Sequence, residues 1–205
     1  MIKSLFIRNE GALIKPLGFN GNIPNFTIHL LPKLEGINAS MVECQGEGCY
    51  VCKVIEWLKE NDMFDKVKER FKSLNTHFNI HPQKIYILPI YHFWNKNWEF
   101  KYVRLFENQF VNFVEYLEEN NLYDIGSPTT EHTLHIIPER WRYKFNKGSI
   151  PFIVTDIIKL QNDYKNFVYF ISNSQNVGIK SEPTYINAIN YQFGMIVQSI
   201  VKELL

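Results

Sequence analysis

The amino-acid sequence predicts a mainly β fold, an antiparallel barrel to which helices are added. Short aromatic and β-branched segments alternate in hydrophobicity as half-buried strands do. They do not alternate regularly with helical segments, as the strands of a doubly wound parallel sheet would. The chain has 205 residues, of which 45% are hydrophobic, enough to build one large domain or a domain with an insertion.

The first elements along the chain are a predicted strand pair and a helical segment. Residues 25–32, NFTIHLLP, alternate in hydrophobicity and end in proline, and residues 37–44, INASMVEC, are suited to pair with them antiparallel. Residues 53–74 carry apolar side chains at three- and four-residue steps. This spacing predicts one or two helices, with a break near Asn61–Asp62.

A hairpin and another helix follow. Residues 84–94 and 98–106 are aromatic and β-branched, and the residues NKN between them predict a turn. Residues 107–121 are typical of an amphipathic helix, with apolar side chains at Phe110, Phe113, Val114 and Leu117.

The last third of the chain predicts three strands and a C-terminal helix. Residues 131–139, 152–158 and 167–172 are rich in β-branched and aromatic side chains, as strands are. Ser181–Thr184 is a capping region for a helix with one apolar stripe, formed by Ile186, Ile189, Phe193, Ile196, Val197, Ile200, Val201 and Leu204. The stripe either covers the barrel or forms a dimer or partner interface.

The three cysteines lie within nine residues, as Cys44-x4-Cys49-x2-Cys52. A C-x-x-C pair directs both thiolates towards one point, and Gly46 and Gly48 permit the tight turns that bring in the third. Zn²⁺ takes four tetrahedral ligands, so the fourth must come from elsewhere, most naturally from a histidine. The spacing favours a structural zinc site.

Three histidines are candidates for the fourth ligand. His29 is favoured because it lies on the strand predicted to pair with the one that ends at Cys44. His77 and His81 follow the helical segment and are the alternatives.

Two other interpretations of the cysteines stay open at this point. Cys49 and Cys52 precede a helix, whose N-terminus lowers the pKa of a thiol, so a thiol-disulfide oxidoreductase is one alternative. Buried thiols without a function are the other.

The net charge of +1 hides an uneven distribution of charge. Between Lys66 and Arg104 there are eight basic residues and two acids, interleaved with nine aromatic side chains. Cations that follow the phosphates and flat rings that stack on unpaired bases are the means by which proteins bind single-stranded nucleic acid. We therefore take as candidate DNA contacts Lys84, Tyr86, Tyr91, Trp94, Trp98, Phe100, Lys101, Tyr102 and Arg104.

Several of these segments together resemble a known family. The order FTIHLLP, then GCYVC running into KVIEWLKENDMF, then KIYILPIYHFWNKNWEFKYVRLF is similar to that in the single-stranded DNA-binding proteins of T-even-type bacteriophages. The resemblance covers about residues 25–172, and its most specific part is the order and spacing of these motifs.

The resemblance implies an OB-fold, a five-stranded Greek-key barrel, over residues 1–180, with a zinc-binding and helical insertion at about 40–80. The amphipathic helix of residues 181–205 would follow it. It further implies a protein without enzymatic activity that coats single-stranded DNA, largely independently of sequence, in viral replication, recombination and repair. The family's zinc ligands correspond to Cys44, Cys49 and Cys52, its hairpin aromatic to Tyr86, and its basic positions to Lys101 and Arg104.

The chain departs from the family's pattern in several places. The family's ligand histidine follows the Leu-Pro strand, yet no histidine lies between Pro32 and Cys44, and His29 occupies the place of an arginine. Tyr50 and Val51 stand between the last two cysteines, where the family has a C-P-x-C step. The chain given ends in SIVKELL rather than in an acidic tail, and only Lys3, Ser4 and Arg8 suggest the family's basic N-terminal motif.

The expected partners are single-stranded DNA and replication or recombination proteins, together with a second copy of the chain if the C-terminal stripe is an interface. No export signal or membrane-spanning run is evident, so we expect a cytoplasmic protein, in the host cell if viral, without a membrane partner. The alternative functions are a thiol-disulfide oxidoreductase that uses Cys49 and Cys52, and a zinc-ribbon module that docks on other proteins through its C-terminal helix.

Overall fold

The computed structural model of the chain describes residues 2–18, 23–32, 40–76, 78–140 and 142–205. Within them it contains nine strands and five α-helices. The strands are β1 (Lys3–Ser4), β2 (Ala12–Pro16), β3 (Asn25–Leu31), β4 (Ser40–Glu43), β5 (Gln83–Trp94), β6 (Asn97–Phe106), β7 (Leu134–Pro138), β8 (Tyr143–Lys147) and β9 (Ile179–Lys180). The helices are α1 (Tyr50–Glu60), α2 (Phe64–Ser73), α3 (Glu107–Glu119), α4 (Ile157–Ile171) and α5 (Pro183–Leu204). The predicted class, β-structure with added helices, is confirmed.

The chain divides into two compact units. The first unit comprises Met1–Asn25 and Lys84–Asn173, and the second comprises Phe26–Gln83 and Ser174–Leu205. The predicted insertion at about 40–80 lies within the second unit. The predicted C-terminal helix, α5, also belongs to that unit and is not a separate segment.

The first unit is built on strands in the order β6–β5–β2–β7–β8, in which all neighbours are antiparallel. The predicted hairpin of β5 and β6 is confirmed, with paired positions from Ile85↔Phe106 to Trp94↔Asn97. Its turn residues Asn95 and Lys96 both have positive φ, as a two-residue hairpin turn that matches the strand twist requires. Helix α3 connects β6 to β7, and β1 runs parallel to β6.

One face of the hairpin forms the core of the first unit. Leu88 and Ile90 of β5 and Val103 and Leu105 of β6 are buried together with residues of α3, β7 and β8, namely Phe113, Leu117, Leu134, Ile136 and Phe145. The burial of Phe113 and Leu117 confirms the predicted amphipathic face of α3.

The second unit combines a small sheet with three helices. Strand β4 pairs antiparallel with β3, as predicted, and parallel with β9. The predicted helical segment consists of α1 and α2, broken at Asp62, which has a positive φ. The apolar stripe of α5 is buried with side chains of both helices, among them Leu58, Val67 and Phe71. The stripe therefore contributes to the core of its own unit.

Two strand predictions are wrong. Residues 151–156 have no regular structure, and α4 begins at Ile157 and includes most of the predicted strand 167–172. The segment is a helix because Leu160, Tyr164, Phe167 and Ile171 recur at helical spacing, and Phe167 and Ile171 are buried. The carboxylate of Asp156 caps it by accepting a hydrogen bond from the backbone N–H of Lys159 at 2.8 Å. The helical spacing of the apolar residues thus outweighs the β-propensity of the aromatic ones.

None of the helices in the described part of the chain combines the length and the apolar character needed to cross a membrane.

Candidate metal centre and nucleic-acid interface

The four side chains favoured as metal ligands converge in the second unit. His29 lies on β3 opposite Val42 of β4, and Cys44 follows the end of β4. Cys49 is the residue before α1, and Cys52 lies in the first turn of that helix. The ligand atoms of the four residues all lie within 4.8 Å of one another.

The distances between these atoms are close to those of a tetrahedral zinc site. Around a zinc ion with Zn–S bonds of about 2.3 Å and a Zn–N bond of about 2.0 Å, two sulfurs are about 3.8 Å apart, and sulfur and nitrogen about 3.5 Å. The Sγ atoms of Cys44 and Cys52 are 3.8 Å apart, and Nε2 of His29 lies 3.6 Å from Sγ of Cys52. The distance from Nε2 to Sγ of Cys49 is 3.1 Å. Three sulfurs and one nitrogen match the donor set of a structural zinc site.

His29 is held in the tautomer that a metal ligand needs. Its Nδ1–H donates a hydrogen bond to the carbonyl oxygen of Ile80 at 2.7 Å, which leaves the lone pair of Nε2 facing the cysteines. Ligand histidines commonly make such a second hydrogen bond, which orients the ring. The side chain is fully buried, and burial lowers its pKa despite the opposing effect of the bond to Ile80. The imidazole is therefore neutral at neutral pH.

The three thiols ionise unequally. Burial acts to raise the pKa of Cys49, but hydrogen bonds from the backbone of Cys52 and Gln45 and from the neighbouring thiols lower it on balance. Burial and the negative charge of Cys49 raise the pKa of Cys44, and raise that of Cys52 to about 12. Ionisation of one thiol thus disfavours ionisation of its neighbours. A divalent cation would stabilise all three thiolates together.

The other two candidate histidines have different outcomes. His81 does not belong to the cluster, and its ring packs on that of Phe64 with 5.0 Å between the centroids. His77 lies outside the described residues.

The structure bears on the oxidoreductase alternative in two ways. The lowered pKa of Cys49 and its position at the start of α1 are features of redox-active cysteines. However, Cys49 is only 3% exposed, and a thiolate that attacks a substrate needs access to it.

The candidate DNA contacts are divided between the two faces of the β5–β6 hairpin. The pairing puts on one face Lys84, Tyr86, Trp94 and Lys101, and on the other Tyr91, Trp98, Phe100, Tyr102 and Arg104. The first of these faces continues the core of the first unit, and the second is the outer face of the hairpin.

Rings on the outer face are covered by residues 151–156 and α4. Tyr91 is 4% exposed, stacks on Phe152 and donates a hydrogen bond to the carboxylate of Asp163 at 2.6 Å. Tyr102 is 5% exposed and packs on Phe170. In this structure neither ring is open to a base, so a contact of either ring with DNA stays a prediction. The half-buried rings of the same face lie against α4 or the segment before it: Trp98 on Phe152 and Phe100 on Phe167.

A conservative change tests the structural role of Tyr91. The Tyr91→Phe substitution keeps the ring but removes the donor to Asp163, so we expect the free energy of unfolding to fall by about 1–2 kcal/mol. Affinity for single-stranded DNA should stay unchanged. Urea denaturation and an oligonucleotide titration measure the two quantities, with Tyr123→Phe, at an exposed position, as the control. Weaker DNA binding without a loss of stability would restore Tyr91 as a contact residue.

Two of the candidate contacts adjoin an open cavity at the turn end of the hairpin. Trp94, 52% exposed, and Lys101 line it together with Phe6, 84% exposed, and Arg8, in a volume of about 190 Å³. Lys84 is exposed but does not line this cavity, and Tyr86 is half-buried and stacks on Phe110 at 3.8 Å. Phe6 is not among the contacts predicted from the sequence. It lies two positions before Arg8, however, and an aromatic side chain close to a basic one is the pattern that indicated the contacts in the hairpin.

Charges around this patch, defined as Phe6, Arg8, Trp94 and Lys101, are mixed. Lys101 forms an ion pair with Glu99 at 2.8 Å, and its ammonium group also donates to Nδ1 of His92 at 3.1 Å. Burial, together with the charge of Lys101, lowers the pKa of His92, so its ring is neutral and accepts this bond. The acid Glu10 also lines the cavity. The hydrogen bond from Lys101 and its positive charge lower the pKa of Glu99, and Lys3 contributes in the same direction. The patch thus offers two exposed rings and a small excess of positive charge.

Comparison of the chain with protein-family models, curated proteins and solved structures found no match. The functional assignment depends on the residues and their geometry.

Proposed function

We propose that the chain is a non-enzymatic, single-stranded DNA-binding protein with an OB-fold core in its first unit and a structural zinc site in its second. The observation that carries this proposal is the patch at the turn end of the β5–β6 hairpin, where Phe6 and Trp94 are exposed beside Arg8 and Lys101. Exposed rings next to cations are the combination that binds unpaired bases and phosphates.

The strand order supports an OB-fold for the first unit. An OB-fold is a five-stranded Greek-key barrel. With β2, β5, β6, β7 and β8 as its strands one to five, the observed neighbours give the order 3-2-1-4-5, with α3 between strands three and four. Closing the barrel would bring β6 beside β8, and Arg104 of β6 is close enough to Tyr143 of β8 to oppose the rise that burial causes in the pKa of that tyrosine.

The patch also agrees with the way OB-folds bind oligonucleotides, through strands two and three and the adjoining loops. Here those strands are β5 and β6, and α4 covers rings of their outer face. The DNA would therefore pass over the turn end of the hairpin and the segment after β1. Trp94 and Phe6 would stack on successive bases at about 1–3 kcal/mol each, while Lys3, Arg8 and Lys101 contact phosphates. Stacking of this kind tolerates any base, so we expect little sequence preference.

The zinc ion would have a structural function. His29 and the three cysteines would hold it, and it would supply the positive charge that keeps the three thiolates ionised together. The ligands come from β3, from the end of β4 and from the start of α1, so the site would join three segments of the second unit.

The biological setting follows from the resemblance to the T-even-type phage proteins. We propose that the protein coats single-stranded DNA during viral replication, recombination and repair, in the cytoplasm of the host cell. Its protein partners would then be replication or recombination proteins.

Titration with a fluorescently labelled oligo-dT strand tests the proposal. We expect binding at low salt, weaker binding to a duplex of the same length, and a loss of affinity as salt is added. Three phosphate contacts predict a slope of log K against log salt of about −2 for a single strand. Absence of binding at low salt would contradict the proposal, and so would binding that does not depend on salt.

A further inference from the structure

A groove runs between α1 and α5 in the second unit. Its volume is about 510 Å³, and it is lined by Tyr50, Lys53, Val54 and Trp57 of α1 and by residues of the last three turns of α5 and the C-terminal Leu205. The four candidate metal ligands do not line it.

The groove has the form that accepts a third helix. The α1 positions recur at steps of three and four, and so do the α5 positions Gly194, Val197 and Val201, so each helix presents one ridge to the groove. Gly194 lets the Tyr50 side chain pack directly on the backbone of α5, because a Cβ atom at this position would collide with the hydroxyl oxygen of Tyr50. An amphipathic helix fits such a groove through apolar side chains at positions i, i+3, i+4 and i+7.

The charges on the groove select the kind of helix. Among the described residues that line it, the only charged side chains are those of Lys53 and Lys202, one on each ridge. The acid next to Lys202, Glu203, is engaged by Arg70 of α2 at 3.1 Å. The apolar floor is thus flanked by two cations that a helix with acidic flanks would complement.

A second copy of the chain fits this groove less well. A twofold pairing of groove against groove would bring Lys53 and Lys202 of one copy towards the same lysines of the other. Like charges brought together in an interface are unfavourable, whereas a partner helix with Asp or Glu beside its apolar stripe avoids this cost.

We propose that the α1–α5 groove is a docking site for an acidic amphipathic helix of a partner protein. Trp57, which is half-exposed, and Tyr50 supply the aromatic side chains that act as anchors in such interfaces. All residues that line the groove belong to the second unit.

The test uses the whole chain of 205 residues, prepared with zinc, and two designed helical peptides with a fluorescent label. Both peptides carry leucines at i, i+3, i+4 and i+7, and they differ only in having glutamates or lysines beside that stripe. We expect the glutamate peptide to raise its anisotropy on addition of protein and the lysine peptide to bind at least about tenfold more weakly.

Charge reversal in the protein completes the test. The double variant Lys53→Glu/Lys202→Glu should exchange the preference and bind the lysine peptide. The control Lys66→Glu/Lys68→Glu reverses two exposed charges of α2 that do not line the groove and should leave the preference unchanged. Circular dichroism verifies that both variants fold.

Three results would overturn the proposal. One is that neither peptide binds; another is that both bind equally well. The third is that the wild-type protein sediments as a dimer which Trp57→Glu dissociates, since a second copy would then occupy the groove.

Discussion

Removal of the proposed zinc ion from His29, Cys44, Cys49 and Cys52 is expected to unfold the second unit. The apparent binding free energy of structural zinc is about 10–16 kcal/mol. The free energy of unfolding of a typical domain, about 5–15 kcal/mol, is no larger than this. Without the cation, the site retains a neutral imidazole and thiols with unequal pKa values, linked only by weak hydrogen bonds to sulfur. Without the metal, the packed core of α1, α2 and α5 would have to stabilise the second unit by itself.

Metal analysis and thermal denaturation measure this effect. We expect one zinc ion per chain, released by a strong chelator together with a large fall in melting temperature and a loss of helical circular dichroism. Cobalt in place of zinc should show the thiolate charge-transfer bands and the intense visible bands of a tetrahedral S₃N site.

Matched histidine variants identify the fourth ligand. His29→Gln should abolish stoichiometric metal binding, and Cys49→Ser should do the same. His81→Gln removes a histidine of the same unit that lies outside the cluster, so it should retain the metal and the cobalt spectrum.

The opposite outcome is equally specific. A protein isolated without metal, indifferent to chelators, with a disulfide that forms reversibly between Cys49 and Cys52, would contradict the zinc site. It would favour the thiol-disulfide oxidoreductase instead.

The double variant Phe6→Ala/Trp94→Ala is expected to lose most of the affinity for single-stranded DNA. At about 1–3 kcal/mol per stacked base, two rings contribute about 2–6 kcal/mol, which corresponds to a loss of ~30-fold or more. Both side chains are largely exposed, so the variant should fold with nearly unchanged stability. The oligo-dT titration and a urea denaturation curve measure the two effects separately.

The matched control removes two other exposed rings of the same unit, Tyr123 and Tyr169. The Tyr123→Ala/Tyr169→Ala variant should bind DNA as the wild-type protein does. If the control loses affinity and the Phe6→Ala/Trp94→Ala variant does not, the DNA contacts Tyr123 or Tyr169 instead, and the proposed patch is wrong. A further variant, Arg8→Ala, should reduce the salt slope by about 0.7, the amount expected for one phosphate contact on a single strand.

The local elements of the fold could be predicted because their signals lie within short segments. Period-two and period-3.6 patterns identified the β5–β6 hairpin, α3 and the buried stripe of α5. The metal cluster was also predictable. Cysteine spacing marks three ligands, and the pairing of the strand that holds His29 with the strand before Cys44 indicates the fourth.

Prediction failed where two preferences competed within one segment. FVYFIS, residues 167–172, has the composition of a strand, yet the helical spacing of Phe167 and Ile171 places both in the interior when the segment is a helix. Propensity is a weaker determinant than burial, so α4 forms and the predicted strand does not.

The amino-acid sequence alone specifies the chemical groups and the local elements that carry them: three cysteines and a histidine for a metal, and an aromatic, basic hairpin. Which of those groups solvent can reach depends on the tertiary packing. The bond from Tyr91 to Asp163 joins residues 72 positions apart, and it is contacts of this kind that place α4 over the rings of the hairpin. Tertiary packing likewise brings Phe6 beside Trp94 and forms the groove between α1 and α5. Alternation along a strand shows which side chains share a face, but not which face the rest of the chain will cover.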